Sequence, residues 1–257
     1  MNIYVLLKKT FDTEEKIKVT DGHIEENGAE FIINPYDEYA VEEAIIKRDE
    51  LGGEVTVVTI GDDESEKQLR TALAMGADKA VLINTEEDLE DGDQSTTVKI
   101  LESFFEDKEI DLILAGNVAI DEASGQVGPR LAEALDIPHI TTITSLKVNG
   151  DIASIEKDVE GDVEVVESVF PLLVTCQQGL NEPRYPSLPG IMKAKKKPLE
   201  EFEIDDLDLE EEELEPKTAT IDIFLPPEKE VGRVLEGEVD DQVKELITLL
   251  RDEKKVL

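Results

Sequence analysis

Along the first half of the chain, short apolar runs alternate with stretches of helical periodicity. Residues 3–7 form an apolar run suited to a buried first strand. Asn34 and Pro35 then open a helical stretch, Asn34 as N-cap and Pro35 at the first helical position. Tyr39, Ala40, Glu43, Ala44, Ile45 and Ile46 carry it on, and Gly52-Gly53 stops it. Residues 54–60, rich in Val and Thr, read as a buried strand. A helix over 65–75 ends at Gly76, followed by a strand over 79–83 and a helix over 97–105. A strand over 111–114 and a helix over 128–135 complete the series. This alternation predicts an α/β, Rossmann-like fold: a mostly parallel sheet with right-handed crossovers and helices on both faces. Ligands on such sheets bind beyond the strand C-termini.

From about residue 140 the pattern changes. Residues 141–148, 152–159, 163–168 and 172–175 are short strand candidates, with Gly150-Asp151 and Gly161-Asp162 as hairpin turns. They are expected to extend the sheet at one edge. Residues 181–198 hold three internal prolines, one glycine and four lysines, which excludes an ordinary helix interior or central strand. A stiff loop with an apolar tip (Leu188, Ile191, Met192) and a basic base is either a connector or a docking device. Residues 200–215 carry eleven acids and five apolar residues. That composition fits a solvated tail, while the spaced Phe202, Ile204, Leu207, Leu209 and Leu214 would suit wrapping a partner. Residues 220–225 read as another extended piece. Val243, Leu246, Ile247 and Leu250 at helical spacing predict a terminal amphipathic helix.

Composition narrows the function. With 257 residues and 40% hydrophobic content the chain can bury a substantial core, and with 4% aromatics and no Trp that core must be aliphatic. The formal net charge of −37 argues against nucleic acid and anionic membrane as partners. The acid excess is spread along the chain, as a saline or alkaline habitat would favour. One cysteine and two distant histidines give no metal-site spacing. No apolar run has transmembrane length, and the N-terminus reads as a strand rather than a signal peptide, so a cytoplasmic protein is expected.

The best ligand candidate is the turn from Gly116 to Gly128, which follows an apolar strand and opens a helix with Pro129 in its first turn. Free N–H groups at a helix start favour a phosphate, and Ser124 and Gln126 add donors. The turn matches neither the dinucleotide fingerprint nor a P-loop, so a merely capped βα turn stays open. Asn34–Asp37 and Gly61-Asp62 would gather on the same sheet edge, where an adenine nucleotide could bridge them. No catalytic constellation is visible. Cys176 reads as a small core residue and His139 as structural.

Four stretches carry a resemblance to the β subunit of electron transfer flavoprotein over essentially the whole chain. They are Asn34-Pro35-Tyr36-Asp37 with Val41-Glu42-Glu43-Ala44; residues 70–78; residues 155–166 with Pro171-Leu172-Leu173-Val174-Thr175; and residues 181–197. The resemblance implies an electron carrier without catalytic residues of its own, in a heterodimer with an electron transfer flavoprotein α subunit. FAD would be shared and held mainly by that subunit. Electrons would come from acyl-CoA dehydrogenases and related flavin dehydrogenases, as in fatty acid β-oxidation, and pass through a quinone oxidoreductase toward the quinone pool. A structural AMP would contact Leu6, Asn34, Pro35, Tyr36, Asp37, Ile60, Gly116, Asn117, Val118, Ala119, Ile120, Asp121, Glu122, Ala123, Ser124, Gly125, Gln126 and Val127. The loop 183–197 would dock the dehydrogenase through Tyr185, Leu188, Ile191, Met192, Lys193, Lys195, Lys196 and Lys197, with Leu188 as anchor. Asp158 would restrain the mobile flavin domain. Residues 1–199 would form the nucleotide-binding domain, and 200–257 an acidic arm and helix packing on the partner. Bifurcating relatives bind a second FAD in place of AMP and carry an Asp-Gly-Asp-Thr-Ala-Gln-Val-Gly type turn. Here Glu122-Ala123-Ser124-Gly125 precedes Gln126-Val127-Gly128, which favours AMP. A second departure is Thr13, where many relatives place an aromatic residue facing the flavin; Phe11 is nearby. A nucleotide-sensing module or an adenylyl-transfer enzyme on the same fold are the competing classes.

Overall fold

The computed structural model describes residues 1–85, 92–227 and 232–256. The chain divides into two compact units: residues 1–17 with 25–221, and residues 18–24 with the chain from Asp222 onward. The larger unit opens with β1 (Asn2–Leu6) and β2 (Lys9–Phe11); β3 (Val19–Thr20) and β4 (His23–Ile24) pair with each other in the smaller one. The larger unit continues with β5 (Phe31–Ile33), which pairs with β2, then α1 (Pro35–Leu51), β6 (Glu54–Gly61), α2 (Glu66–Met75) and β7 (Lys79–Asn84). Next come α3 (Gln94–Phe105), β8 (Leu112–Gly116), α4 (Val127–Ala134), β9 (His139–Asn149), β10 (Ile152–Val159), β11 (Asp162–Val169) and β12 (Leu172–Cys176). It ends with α5 (Leu188–Ala194), β13 (Leu199–Glu203) and α6 (Glu211–Leu214).

The main sheet runs β11-β10-β9-β12-β8-β1-β6-β7-β13. From β9 to β13 every pairing is parallel, and only the β9–β10–β11 meander is antiparallel. Helices cover both faces. Ala40, Ala44 and Ile45 of α1 and Leu69 and Leu73 of α2 pack on one side. Ile100, Phe104 and Phe105 of α3 and Leu131 of α4 pack on the other. With so few aromatics the core is mostly Ile, Val, Leu and Ala, as strands buried on both faces require.

Three expectations are corrected. The 172–175 segment does not belong to the edge hairpins. As β12 it lies between β8 and β9, parallel to both, with all five residues buried. A continuous apolar run suits a strand covered on both faces, and the edge is left to β11.

The 183–197 segment is not wholly a loop. Ser187 caps a short helix by accepting from Gly190 N–H at 3.1 Å, and Pro189 sits in its first turn, where a missing N–H costs nothing. Gly190 lets α5 ride close on α2, since a Cβ there would lie 2.6 Å from Ala74 O. Both ends of the segment are fastened. Asn181 Nδ2 donates to Tyr39 O (3.0 Å) and Glu43 Oε2 (3.1 Å). Arg184 grips the buried Glu42 carboxylate with Nε and an η nitrogen, both at 2.8 Å. At the far end Arg70 donates to Ala194 O (3.1 Å) and Lys197 O (3.0 Å).

The acidic 200–215 stretch is not a solvated tail up to residue 214. β13 adds to β7 in parallel, pairing Leu199 with Ala80 and Phe202 with Ile83. Ile204 is buried, Phe202 packs edge-to-face on Phe104, and Leu207, Leu209 and Leu214 lean on the same core. Leu199 and Phe202, three residues apart in β13, lean on the two opposite core clusters, and the acids from Glu200 to Glu210 stay exposed.

In the smaller unit, α7 (Val239–Thr248) forms where helical spacing predicted it and runs into a π turn, Leu249–Glu253. None of its residues is buried, and Val239, Val243, Leu246 and Ile247 are exposed. Residues 220–225 carry no assigned strand.

Two substitutions check these packing claims by denaturant unfolding. Ile204→Ala should cost roughly 2–4 kcal/mol as a core truncation; no loss would mean that the acidic stretch is solvated after all. Arg184→Ala should cost about 1–3 kcal/mol by leaving Glu42 buried without its partner, and a midpoint equal to that of the parent chain would contradict the clamp.

Candidate functional site

The sheet changes direction between β1 and β8: from β1 the chain adds β6 and β7 on one side, then crosses to β8 on the other. A crevice opens beyond the strand ends at such a switch point. Here it is lined by Leu6 at the end of β1 and Lys8 just past it, Ile60 of β6, Gly116 of β8, Asn34 and Asp37 at the start of α1, and the loop that leads into α4.

A buried polar knot sets its geometry. Asp37 accepts from Lys8 N–H (2.7 Å), Gly116 N–H (3.0 Å) and Asn34 Nδ2 (2.9 Å). Burial pushes its carboxyl up to about 7, against the three donors, which favour the charged form. Asn34 also donates to Val118 O (3.0 Å) and accepts from Ile120 N–H (3.2 Å). Asn34 does sit at the N-cap of α1, but its side chain makes no capping bond. It fastens the helix start to the 117–120 loop instead. Gly116 must be glycine, because a Cβ would meet Asp37 Oδ1 at 2.2 Å and Tyr36 Cβ at 2.8 Å.

The loop then curls back. Ala123 N–H donates to Ala119 O at 2.8 Å, and Ala123 and Gly125 both take positive φ. No side chain caps the start of α4, so its first N–H groups remain available to an anion. At Gly128 a Cβ would lie 2.8 Å from Thr175 Cγ2, so glycine lets the helix start pack on β12.

Thirteen of the eighteen residues expected at the nucleotide line this cleft: Leu6, Asn34, Asp37, Ile60, Gly116, Asn117, Val118, Ala119, Glu122, Ser124, Gly125, Gln126 and Val127. Pro35, Tyr36, Ile120, Asp121 and Ala123 adjoin it in the chain without lining it. Gly61 and Asp62 do not line it either; Asp62 pairs with Lys9 at 2.6 Å instead. Gly128, the last residue of the candidate turn, lines the cleft as well, while sequence reasoning missed Leu7, Lys8, Val58, Thr97, Leu101 and Ala115. Lys8 was legible as the first residue past the apolar run 3–7. Thr97 and Leu101, four apart on α3, come to the cleft only through packing.

On α5, Leu188 and Met192 are 81% and 71% exposed and neighbouring Tyr185 is 94% exposed, while Ile191 is partly so. Lys193, Lys195 and Lys196 are exposed beside them. Lys197 does not join that set. Its amine donates to Leu73 O (3.0 Å) and to Ala77 O at the end of α2, and burial lowers its pKa. Asp158 is exposed near the tip of the β10–β11 hairpin, with Oδ1 accepting from Gly161 N–H at 3.4 Å. Phe11 stacks on Phe31 at 4.7 Å, and Thr13 is exposed. Cys176 is fully buried, and burial drives its thiol pKa well up, as expected of a core residue. Among the described residues no cluster of His, Cys, Asp and Glu could hold a metal ion, and no helix is long and apolar enough to cross a membrane.

Comparison with known proteins agrees with this architecture. The electron transfer flavoprotein domain matches residues 21–207. The electron transfer flavoprotein subunit beta of Bacillus subtilis (strain 168) is 64% identical over 257 residues, covering all of both chains. The subunit of the same name from Syntrophomonas wolfei is 38% identical over all of this chain and 98% of its own. The acryloyl-CoA reductase electron transfer subunit gamma of Anaerotignum propionicum is 35% identical over 97% of this chain and 98% of its own. Similarity of this extent, on a sheet with its cleft at the switch point, makes the chain a member of the electron transfer flavoprotein family, as a β-type subunit working in electron transfer.

Proposed function

We propose that this chain pairs with an α subunit to form a one-FAD electron carrier, takes electrons from acyl-CoA and related flavin dehydrogenases, and passes them toward the quinone pool through a quinone oxidoreductase. The observation that carries the reading is the mounted helix α5, whose apolar residues face solvent beside three exposed lysines. A monomer's own packing would turn Leu188 and Met192 inward; a protein that docks and leaves needs them outside. A rigid mount lowers the ordering cost of each encounter, and a single apolar anchor within a charged rim supports fast, weak association. The name of the Anaerotignum relative, which couples an electron transfer subunit to acryloyl-CoA reductase, favours partners that act on acyl-CoA substrates.

FAD supplies the redox chemistry when bound. This chain's part is to receive the flavin-bearing subunit and to hold the dehydrogenase at the proper distance. Asp158, exposed on its hairpin, is available to hold the flavin domain between encounters. The exposed apolar side of α7 suits packing on the α subunit. The cleft fits AMP. Leu6, Ile60, Val58 and Leu101 offer an apolar wall for a base, and Ser124, Gln126 and the uncapped start of α4 offer donors to one phosphate. Buried among fixed donors, such a nucleotide would brace the loop rather than react.

Two experiments test this reading on the heterodimer. Leu188→Ala should slow dehydrogenase-dependent flavin reduction tenfold or more at limiting partner concentration, as loss of a hot-spot anchor would, with FAD content intact; parent-like kinetics would remove the anchor. Asn34→Ala orphans the Ile120 N–H, the Val118 carbonyl and one bond to Asp37. AMP released on denaturation should therefore fall well below one per chain, and full retention would refute the role of the knot. Two flavins per heterodimer would point instead to a bifurcating subunit.

A further inference from the structure

The start of α3 is bound to a stretch of chain far along the sequence. Asp93 is the N-cap, and its Oδ1 accepts from Ser95 N–H (2.8 Å) and Thr96 N–H (3.1 Å). Its other oxygen, Oδ2, accepts from Lys217 N–H (2.9 Å), Thr218 N–H (2.8 Å) and the Thr218 hydroxyl (2.9 Å). The Thr96 hydroxyl adds a bond to Leu214 O at 3.2 Å. Desolvation opposes the charge of Asp93, yet the donors at Thr96, Thr218, Ser95 and Lys217 hold its pKa down to about 2.

Capping alone does not require this arrangement. Ser, Thr or Asn caps a helix start about as well as Asp does. Only a carboxylate offers two oxygens that both accept, one for each element. Serine has a single oxygen, and asparagine would set its NH2 group against the N–H groups of one side.

The place of the held residues gives the contact its meaning. Up to Leu214 the acidic stretch is anchored by its apolar side chains. Beyond Thr218 the chain reaches Ile221, which is 97% exposed, and the smaller unit resumes at Asp222. Lys217 and Thr218 are thus bound within a few residues of the change of unit. Without that bond the free chain leading to Asp222 would reach back to Leu214 and become about twice as long. Doubling a flexible tether lowers the effective concentration of whatever it carries by about threefold.

We infer that Asp93 is a latch for the C-terminal arm: its carboxylate fixes the point from which residues 219 onward leave the larger unit, and so presents them to the α subunit from one origin. The inference rests on the reading that the arm packs on that subunit, and it names the residue that positions the arm.

Two variants of the full chain, one from each side of the contact, test it. Asp93→Ser keeps a capping oxygen and removes the second acceptor. Thr218→Pro removes the N–H and the hydroxyl on the arm side without changing the charge. In hydrogen exchange read by mass spectrometry, peptides covering 215–221 should exchange at least about tenfold faster in Asp93→Ser than in the parent, with the interior of α3 unchanged. The dissociation constant for the α subunit should rise about threefold or more in both variants. The thermal midpoint of the chain alone should stay near that of the parent, because α3 keeps its cap. Parent-like exchange in 215–221, or parent-like affinity in both variants, would overturn the latch. Leu246→Asp, on the exposed side of α7, then separates the two failures. Weakened binding in that variant would overturn the latch alone, and parent-like binding would overturn the packing of the arm on the α subunit together with it.

Discussion

The carboxylate of Asp37 is buried where β1, β8 and α1 converge, and it accepts hydrogen bonds from Lys8 just past β1, Gly116 of β8 and Asn34 at the N-cap of α1. An uncompensated carboxylate there would be intolerable, so its donors must stay in place. That demand fixes the ends of two parallel strands, the first turn of α1 and, through Asn34, the loop into α4. It also dictates glycine at position 116, since no other residue leaves room for the Asp37 oxygen. The cleft is what remains open once these elements are locked.

Helix α1 carries the consequences outward. Its first turn holds the knot, and a few residues on, Tyr39, Glu42 and Glu43 receive Asn181 and Arg184. One rigid helix thus supports both the wall of the cleft and the mount of α5. The division of labour is physical. Buried, hydrogen-bonded groups make the cleft a fixed frame, while α5 lays Gly190 against α2, buries Ala194 and leaves Leu188 and Met192 exposed.

Much of this was legible in the sequence because it is local. Alternating apolar runs and helical periodicity located the main-sheet strands and the helices of the first half to within a few residues, though not the short β2–β5, and the cap, proline and glycine signals bounded α1. The Gly116–Gly128 turn announced a helix start with close backbone approach. Where the sequence misled, composition stood in for geometry. Eleven acids made residues 200–215 look like a tail, yet the spaced apolar residues from Leu199 to Leu209 were enough to hold a strand beside β7. Prolines and lysines made 183–197 look like a loop, yet Ser187 and Pro189 begin a helix there. Lys197 read as one of a basic cluster until its amine proved to close the end of α2.

By itself the sequence determined the α/β class, the order of the main-sheet strands and helices in the first half, and the glycine-rich turn between β8 and α4. Those follow from short-range periodicity and from residues whose backbone preferences are intrinsic. Only the tertiary structure decided which strand lies beside which, why Asn34 faces the 117–120 loop instead of capping its helix, which lysines remain free, and that Lys8 meets Glu122 across the cleft. Such pairings join residues that the sequence separates by tens to more than a hundred positions. No local pattern encodes them, because the energy that selects them comes from burying the two faces of one sheet and pairing most of the polar groups trapped between.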